Sequence, residues 1–249
     1  MLPLDDPTSL SLLFHLNSEP WLNDEAYRGG SGRRAPSAVG DGSTEVALPP
    51  PTPSALGDLL RRRRSCRAYD AHHVLPLEDL SELLHAAYGP VVEHDDAGPT
   101  SSQRSVPSAG GLYPFDVLVF LRRVEGIEDG LYHYDPPSGV IRLQRSGDLF
   151  ADVLGASVYA YPFIVDANAL VVLVASFLRT QAKYGPRGYR YILLEAGHVG
   201  QNLTLRAAEL GLGSLCIGGF VDSMLNEAIG IDPRSGGVMY GIGIGRPAS

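Results

Sequence analysis

The chain reads as an α+β protein, a mixed β-sheet flanked by helices. Three observations predict this. Residues 170–175 (LVVLVA) are a continuous apolar, β-branched run, the pattern of a central strand buried on both faces. Residues 189–210 hold a helical period over several turns. Strand and helix signals interleave along the chain, with at least one hairpin among them, instead of segregating into blocks.

From the N-terminus, residues 10–27 mix apolar and polar positions and fit a short helix plus an arm. Residues 29–53 run from GGSGRR to LPPPTP, a linker composition. The expected organisation is therefore an arm and linker over 1–53 and one folded domain over 54–249. Ser54 is an N-cap for a helix reaching Arg63, with Asp58 in its first turns. A second helix follows Pro76: Leu77, Leu80, Leu84 and Ala87 share a face, and Gly89-Pro90 stops it. Residues 91–111 read as loop and Phe115–Arg122 as a strand. Leu131–Tyr134 and Val140–Leu143 flank a turn and form a hairpin. After the central strand, KYGPRGYRY (residues 183–191) carries two glycines and a proline and reads as a loop. In the long helix, Ile192, Ala196, Val199, Leu203, Ala207 and Leu210 form an apolar stripe. Glu195, His198, Asn202, Arg206 and Glu209 form a polar one, expected to face a partner subunit. Gly211 and Gly213 end that helix. A short strand (Ser214–Ile217), a helix (Asp222–Ile229) and a last strand (Val238–Ile244) complete the domain.

Composition excludes several functions. A net charge of −8 argues against general nucleic-acid binding. No apolar run reaches the roughly 18–20 residues that span a bilayer, and MLPLDDPTSL lacks the basic stretch of a signal peptide. A cytoplasmic protein is expected. Cys66 and Cys216 have no metal-ligand spacing, so neither a metal nor a disulfide is expected.

One residue type stands out. Of twenty basic residues only one is lysine, Lys183, and Tyr184 follows it. Guanidinium keeps its proton, whereas a desolvated ammonium gives it up readily, so lysine can serve as a base where arginine cannot. Three further stretches offer binding chemistry. RRRRSCRAY (61–69) sets Arg63, Arg64 and Arg67 around the Ser65 hydroxyl, a set that can hold a terminal phosphate. A solvated basic helix end fits the same letters. VPSAGGLYP (106–114) leaves bare backbone between two prolines, able to lie along a planar ligand or to be an ordinary turn. SLCIGGF (214–220) is a short strand ending in two glycines, where backbone can approach a ligand or simply turn.

In this order, with YRYxLLEAGHxxQN and a terminal G-I-G, the motifs resemble the nitroreductase superfamily of FMN enzymes. Within it the chain is similar to the SagB-type, McbC-like azoline dehydrogenases, which oxidise thiazoline and oxazoline rings to thiazoles and oxazoles in ribosomally made peptides. The resemblance covers about residues 54–246, with a weaker echo at 11–20. It implies a nitroreductase-like sheet and an obligate homodimer with FMN at the interface. It implies an azoline-containing peptide as substrate, a cyclodehydratase as neighbour and O2 as electron acceptor. By the same resemblance, Arg63, Ser65, Arg67 and Arg246 match the FMN-phosphate anchors. Arg61 and Arg62 lie outside the pattern, so Arg64 competes with its neighbours for that role. Pro107, Ser108 and Gly110 match the loop along the flavin, Gly218 and Gly219 the backbone facing flavin N5, and Lys183 and Tyr184 the catalytic pair. Two other readings stay open: an FMN reaction driven by NAD(P)H on another substrate, and a non-catalytic subunit of a synthetase complex.

Overall fold

The computed structural model describes residues 13–14, 46–91, 103–150, 153 and 161–248. Of the expected helix and arm over 10–27 only Leu13 and Phe14 are described, both helical and exposed; the rest and most of the linker fall outside these residues, and 46–53 are exposed and irregular. The elements are α1 (Ala55–Arg62), α2 (Leu77–Tyr88), β1 (Phe115–Leu121), β2 (Gly130–Asp135), β3 (Val140–Ser146), α3 (Tyr161–Ile164), β4 (Ala169–Ser176), α4 (Phe177–Tyr184), α5 (Arg187–Glu209), β5 (Gly213–Ile217), α6 (Asp222–Ile229) and β6 (Gly236–Gly245). Among the described residues no helix is long and apolar enough to cross a membrane.

The apolar run becomes β4, the middle of a six-stranded sheet of order β3-β2-β1-β4-β6-β5. Its side chains alternate between two cores. Val171 and Leu173 join Val117, Val119, Ile192, Val199 and Leu203 on the face covered by α2 and α5. Leu170, Val172 and Val174 join Phe120, Phe150, Ile164 and Leu225 on the other. Every pairing in the sheet is antiparallel, where a mixed sheet was expected. The helical crossover does return the chain so that β4 and β5 point the same way. β6 then inserts between them and pairs antiparallel with both.

Ser54 caps α1 as expected, its hydroxyl accepting from the Gly57 amide at 3.1 Å. Two further expectations fail. Residues 183–191 are not a loop: Lys183 and Tyr184 close α4, and Gly185-Pro186 alone separates α4 from α5. Gly185 takes φ +56°, a conformation that favours glycine, and Gly188 lets α5 lie against the backbone of Thr180 and Gln181. The polar stripe of α5, expected to meet another subunit, is largely used within the chain. Asn202 donates to the carbonyls of Ala86 and Ser105 at 3.2 and 3.0 Å, Arg206 pairs with Glu82 at 2.7 Å, and Glu195 is 3% exposed.

Candidate functional site

The residues singled out by sequence gather in two groups at opposite ends of the sheet. The first lies where β5 begins and β6 ends. The turn after α1 is laid along β5 by a bridge between Ser65 and Ser214 and by the Cys66 amide, which donates to the Ser214 carbonyl at 2.8 Å. Tyr69 bridges Pro247, and the Asp70 amide donates to the Arg246 carbonyl at 2.8 Å. Arg63, Ser65, Arg67 and Arg246 thus meet at one corner. Arg64 is turned away: its guanidinium donates to the carbonyls of Arg61 and Arg63. Arg61 pairs with Asp58. Arg63, Arg67 and Arg246 make no ion pair among the described residues, although Arg67 lies 5.9 Å from the Phe163 ring centroid. Three guanidiniums without carboxylates beside an exposed serine suit an anion such as the phosphate of FMN. From Ser214, β5 leads to Gly218 and Gly219. A side chain added at Gly218 would meet nothing within 4 Å, so its backbone is open to a ligand.

The second group lies where β1 begins and β4 ends. There the Ser176 amide donates to the Pro114 carbonyl at 2.9 Å. A 3-10 turn over Ala109–Gly111 puts Gly110 at φ +65°. A Cβ at Gly110 would stand 2.7 Å from both Lys183 Nζ and Tyr184 Oη, so ammonium and phenol converge on this bare backbone. Lys183 Nζ lies 5.3 Å from the Tyr184 ring centroid, and Tyr184 stacks edge-on with Tyr191 at 5.0 Å. Lys183 is exposed and Tyr184 half-buried. Pro107 is exposed at the start of the same turn.

Beneath this turn lies a network that the sequence did not announce. The Ser108 hydroxyl accepts from the Tyr113 amide at 2.9 Å and is hydrogen-bonded to Glu195. Tyr88 donates to Glu195 Oε1 at 2.8 Å, and the Arg104 amide donates to the Tyr113 hydroxyl at 2.9 Å. Burial holds the Glu195 carboxyl above the ordinary carboxylate range, against the hydrogen bonds from Ser108 and Tyr88 and the nearby charge of Arg104. Burial, with Glu195 beside it, also pushes the Tyr88 phenol up. Arg104 lies over the rings of Tyr88 and Tyr113, at 4.3 and 4.7 Å from their centroids. Tyr88 and Arg104 stand 107 and 91 positions before Glu195 in the chain, so no local spacing pointed to them.

Comparison with known proteins places the chain in a family. The model of the Nitroreductase family matches residues 60–246. The chain is 37% identical over 194 residues to "Putative nitroreductase MJ1384" of Methanocaldococcus jannaschii, covering 78% of this chain and 92% of that protein. It is 30% identical over 148 residues to the microcin B17-processing protein McbC of Escherichia coli, covering 55% of this chain and only 52%, about half, of McbC. The E. coli microcin synthetase McbBCD complex, solved with truncated pro-MccB17 bound, contains a chain of the same fold. It has a TM-score of 0.70 at 22% identity, over 98% of this chain and 94% of that one. A nitroreductase-fold structure of Desulfovibrio desulfuricans, solved in complex with FMN, matches with a TM-score of 0.53 at 20% identity, over 80% and 89% of the two chains. The six-stranded sheet, the residues matched by the family model and the near-complete coverage of the methanogen relative all lead to one statement: this chain belongs to the nitroreductase family, a family of oxidoreductases whose cofactor is FMN.

Proposed function

We propose that the chain is an FMN-dependent dehydrogenase that oxidises thiazoline or oxazoline rings of a peptide substrate to thiazoles or oxazoles. The observation that carries this reading is the convergence of Lys183 Nζ and Tyr184 Oη on Gly110. Aromatising an azoline removes one proton and one hydride. Bound FMN supplies the hydride acceptor. The chain must supply the base, and Lys183 is the one ammonium it has. Tyr184 is placed to orient or relay. Arg63, Ser65, Arg67 and Arg246 would hold the cofactor's phosphate. Pro107, Ser108 and Gly110 would lie along its ring system, and Gly218 and Gly219 would face N5. The relation to McbC, of which the chain spans about half, supports the azoline substrate and a place beside a cyclodehydratase. O2 is the acceptor that returns the cofactor to its oxidised form.

The reading includes a homodimer. β4 spans on the order of 25 Å, and the anchoring arginines and the Lys183 group sit at its opposite ends. A cofactor touched by both groups is most simply shared by two chains related by a two-fold axis. α5 runs from one end of the sheet to the other and carries Leu193 and Leu194, 42% and 55% exposed, beside an open Gly197. Packing of two such helices would also cover Lys183, giving its ammonium the dry surroundings that proton abstraction needs.

The test is mass spectrometry of an azoline peptide incubated with the yellow protein: loss of two hydrogens per ring is expected, and an unchanged mass overturns the reading. A second reading, NAD(P)H-driven reduction, is favoured by the coverage of the methanogen relative. Bleaching of the bound flavin by NADPH would support it, whereas bleaching by the azoline peptide alone supports the first.

A further inference from the structure

The turn on which Lys183 and Tyr184 converge is held under strain. Gly110 and Gly111 both stand at φ +65°, where glycine is at ease. Tyr113 stands at φ +44°, a left-handed conformation that a tyrosine rarely adopts. Such a residue persists only where its surroundings hold it. Three contacts hold Tyr113. Its amide donates to the Ser108 hydroxyl at 2.9 Å, closing the turn across Gly110. Its hydroxyl accepts from the Arg104 amide at 2.9 Å. Its ring meets the Tyr88 ring edge-on at 6.0 Å, and the Arg104 guanidinium lies over it at 4.7 Å.

All three contacts lead to one buried pair, Tyr88 on α2 and Glu195 on α5. Ser108 is hydrogen-bonded to Glu195. Tyr88 donates to Glu195 Oε1 at 2.8 Å, and Arg104 lies over the Tyr88 ring at 4.3 Å. The Tyr88 hydroxyl also accepts from the Phe115 amide at 3.4 Å, where the turn passes into β1. The turn is thereby pinned to both helices that cover this face of the sheet. The choice of an acid fits that task. A carboxylate presents two acceptor oxygens, so it can engage the Tyr88 and Ser108 hydroxyls together and leave a Ser108 lone pair for the Tyr113 amide. An amide at position 195 presents one acceptor oxygen and must turn its NH2 toward one of the two hydroxyls. Buried polar groups are costly to leave unmatched, so loosening one member of the set loosens the others.

We propose that Glu195, acting through Tyr88 and Ser108, is a positioning residue: it holds the Ser108–Tyr113 turn in its strained form, so that the Gly110 backbone stays where Lys183 and Tyr184 meet it. The consequence for ring oxidation rests on the azoline reading; the positioning itself does not.

The experiment uses the lone lysine as a reporter. Reductive methylation with isotope-labelled formaldehyde marks Lys183 and, besides it, only the amino terminus of the chain. NMR spectra of the full-length, FMN-loaded protein are compared for the wild type, Glu195→Gln and Tyr88→Phe. Tyr88→Phe removes one oxygen and changes no charge, so a displaced Lys183 resonance in it reports movement and not an altered field. The expected result is a Lys183 signal displaced from its wild-type position in both variants, with flavin retained. A signal that stays at the wild-type position in Tyr88→Phe overturns the proposal. Should Tyr88→Phe not fold, Glu195→Gln decides by the same reading. With an azoline peptide that the wild type oxidises, both variants should lose about ten-fold or more in kcat with little change in KM. A raised KM at unchanged kcat would make Glu195 part of substrate binding and overturn the proposal. A wild type that leaves azolines untouched sinks the azoline reading and not the positioning, which the Lys183 resonance decides without turnover.

Discussion

Lys183 and Gly110 meet side chain to backbone, and each can be tested by a change of a few atoms. Lys183→Arg keeps the charge and loses the ability to release the proton. Flavin content and melting temperature should hold while azoline oxidation falls by about 10²–10⁴-fold; full turnover would make Lys183 a surface cation. Gly110→Ala combines a φ of +65° with a Cβ 2.7 Å from Nζ and Oη. The left-handed backbone costs about 1–2 kcal/mol, and the Lys183 and Tyr184 side chains must move apart, so on the proposed mechanism turnover should drop at least about ten-fold with the fold retained. Glu195 offers a test by pH. Its folded-state carboxyl binds the proton more tightly than in the unfolded chain. Wild-type stability is therefore lost as pH rises from the unfolded value, about 4.3, through the raised folded value. Glu195→Gln has no such slope. Thermal melts between about pH 4 and 8 should show the variant gaining on the wild type as pH rises, and a constant gap would argue against a buried acid. At this scale the sequence made Lys183 and Tyr184 visible, because a lone lysine needs no partner to be noticed. Glu195 and Arg104 were invisible because each acquires its meaning from residues tens of positions away.

Most elements were legible because their periods are strong and their ends punctuated: Ser54 and Gly89 bound helices, and the run at 170–175 can only be a buried strand. α4 was missed for a local reason. Gly185, Pro186 and Gly188 fall within four residues and read as loop, yet Gly185 supplies the turn, Pro186 precedes the first residue of α5, and Gly188 is a contact point rather than a break. The polar stripe of α5 was visible but its target was not, since periodicity shows which residues share a face and not what the face meets. The close approach of α4 and α5 yields a prediction. In Gly188→Val the new side chain begins 3.0 Å from the backbone of Gln181 and Thr180. It should push α4 outward at a cost of about 1–3 kcal/mol and displace Lys183. Turnover should fall more than FMN affinity, measured by fluorescence on flavin release, whereas an equal loss of both would point to general unfolding.

At the scale of the whole molecule, the proposed dimer rests on the exposed Leu193 and Leu194 of α5. Leu194→Glu should shift light scattering to the monomer mass and lower flavin content together, because each cofactor is then touched by one group only. A dimer that survives with its flavin would place the interface elsewhere. The insertion of β6 has a consequence for synthesis on the ribosome. β4, one of the most apolar segments of the chain, has its β1 partner already synthesised when it emerges, but the partner of its other edge is complete only once Gly245 has been made. Through that interval an unpaired edge of valines and leucines is open to other nascent chains, and β5 has no strand beside it. The corner proposed to hold the phosphate, which includes Arg246, is completed only with β6. Cofactor loading should therefore act as a seal on a finished sheet: flavin supply during expression should raise soluble yield without changing the rate of chain elongation.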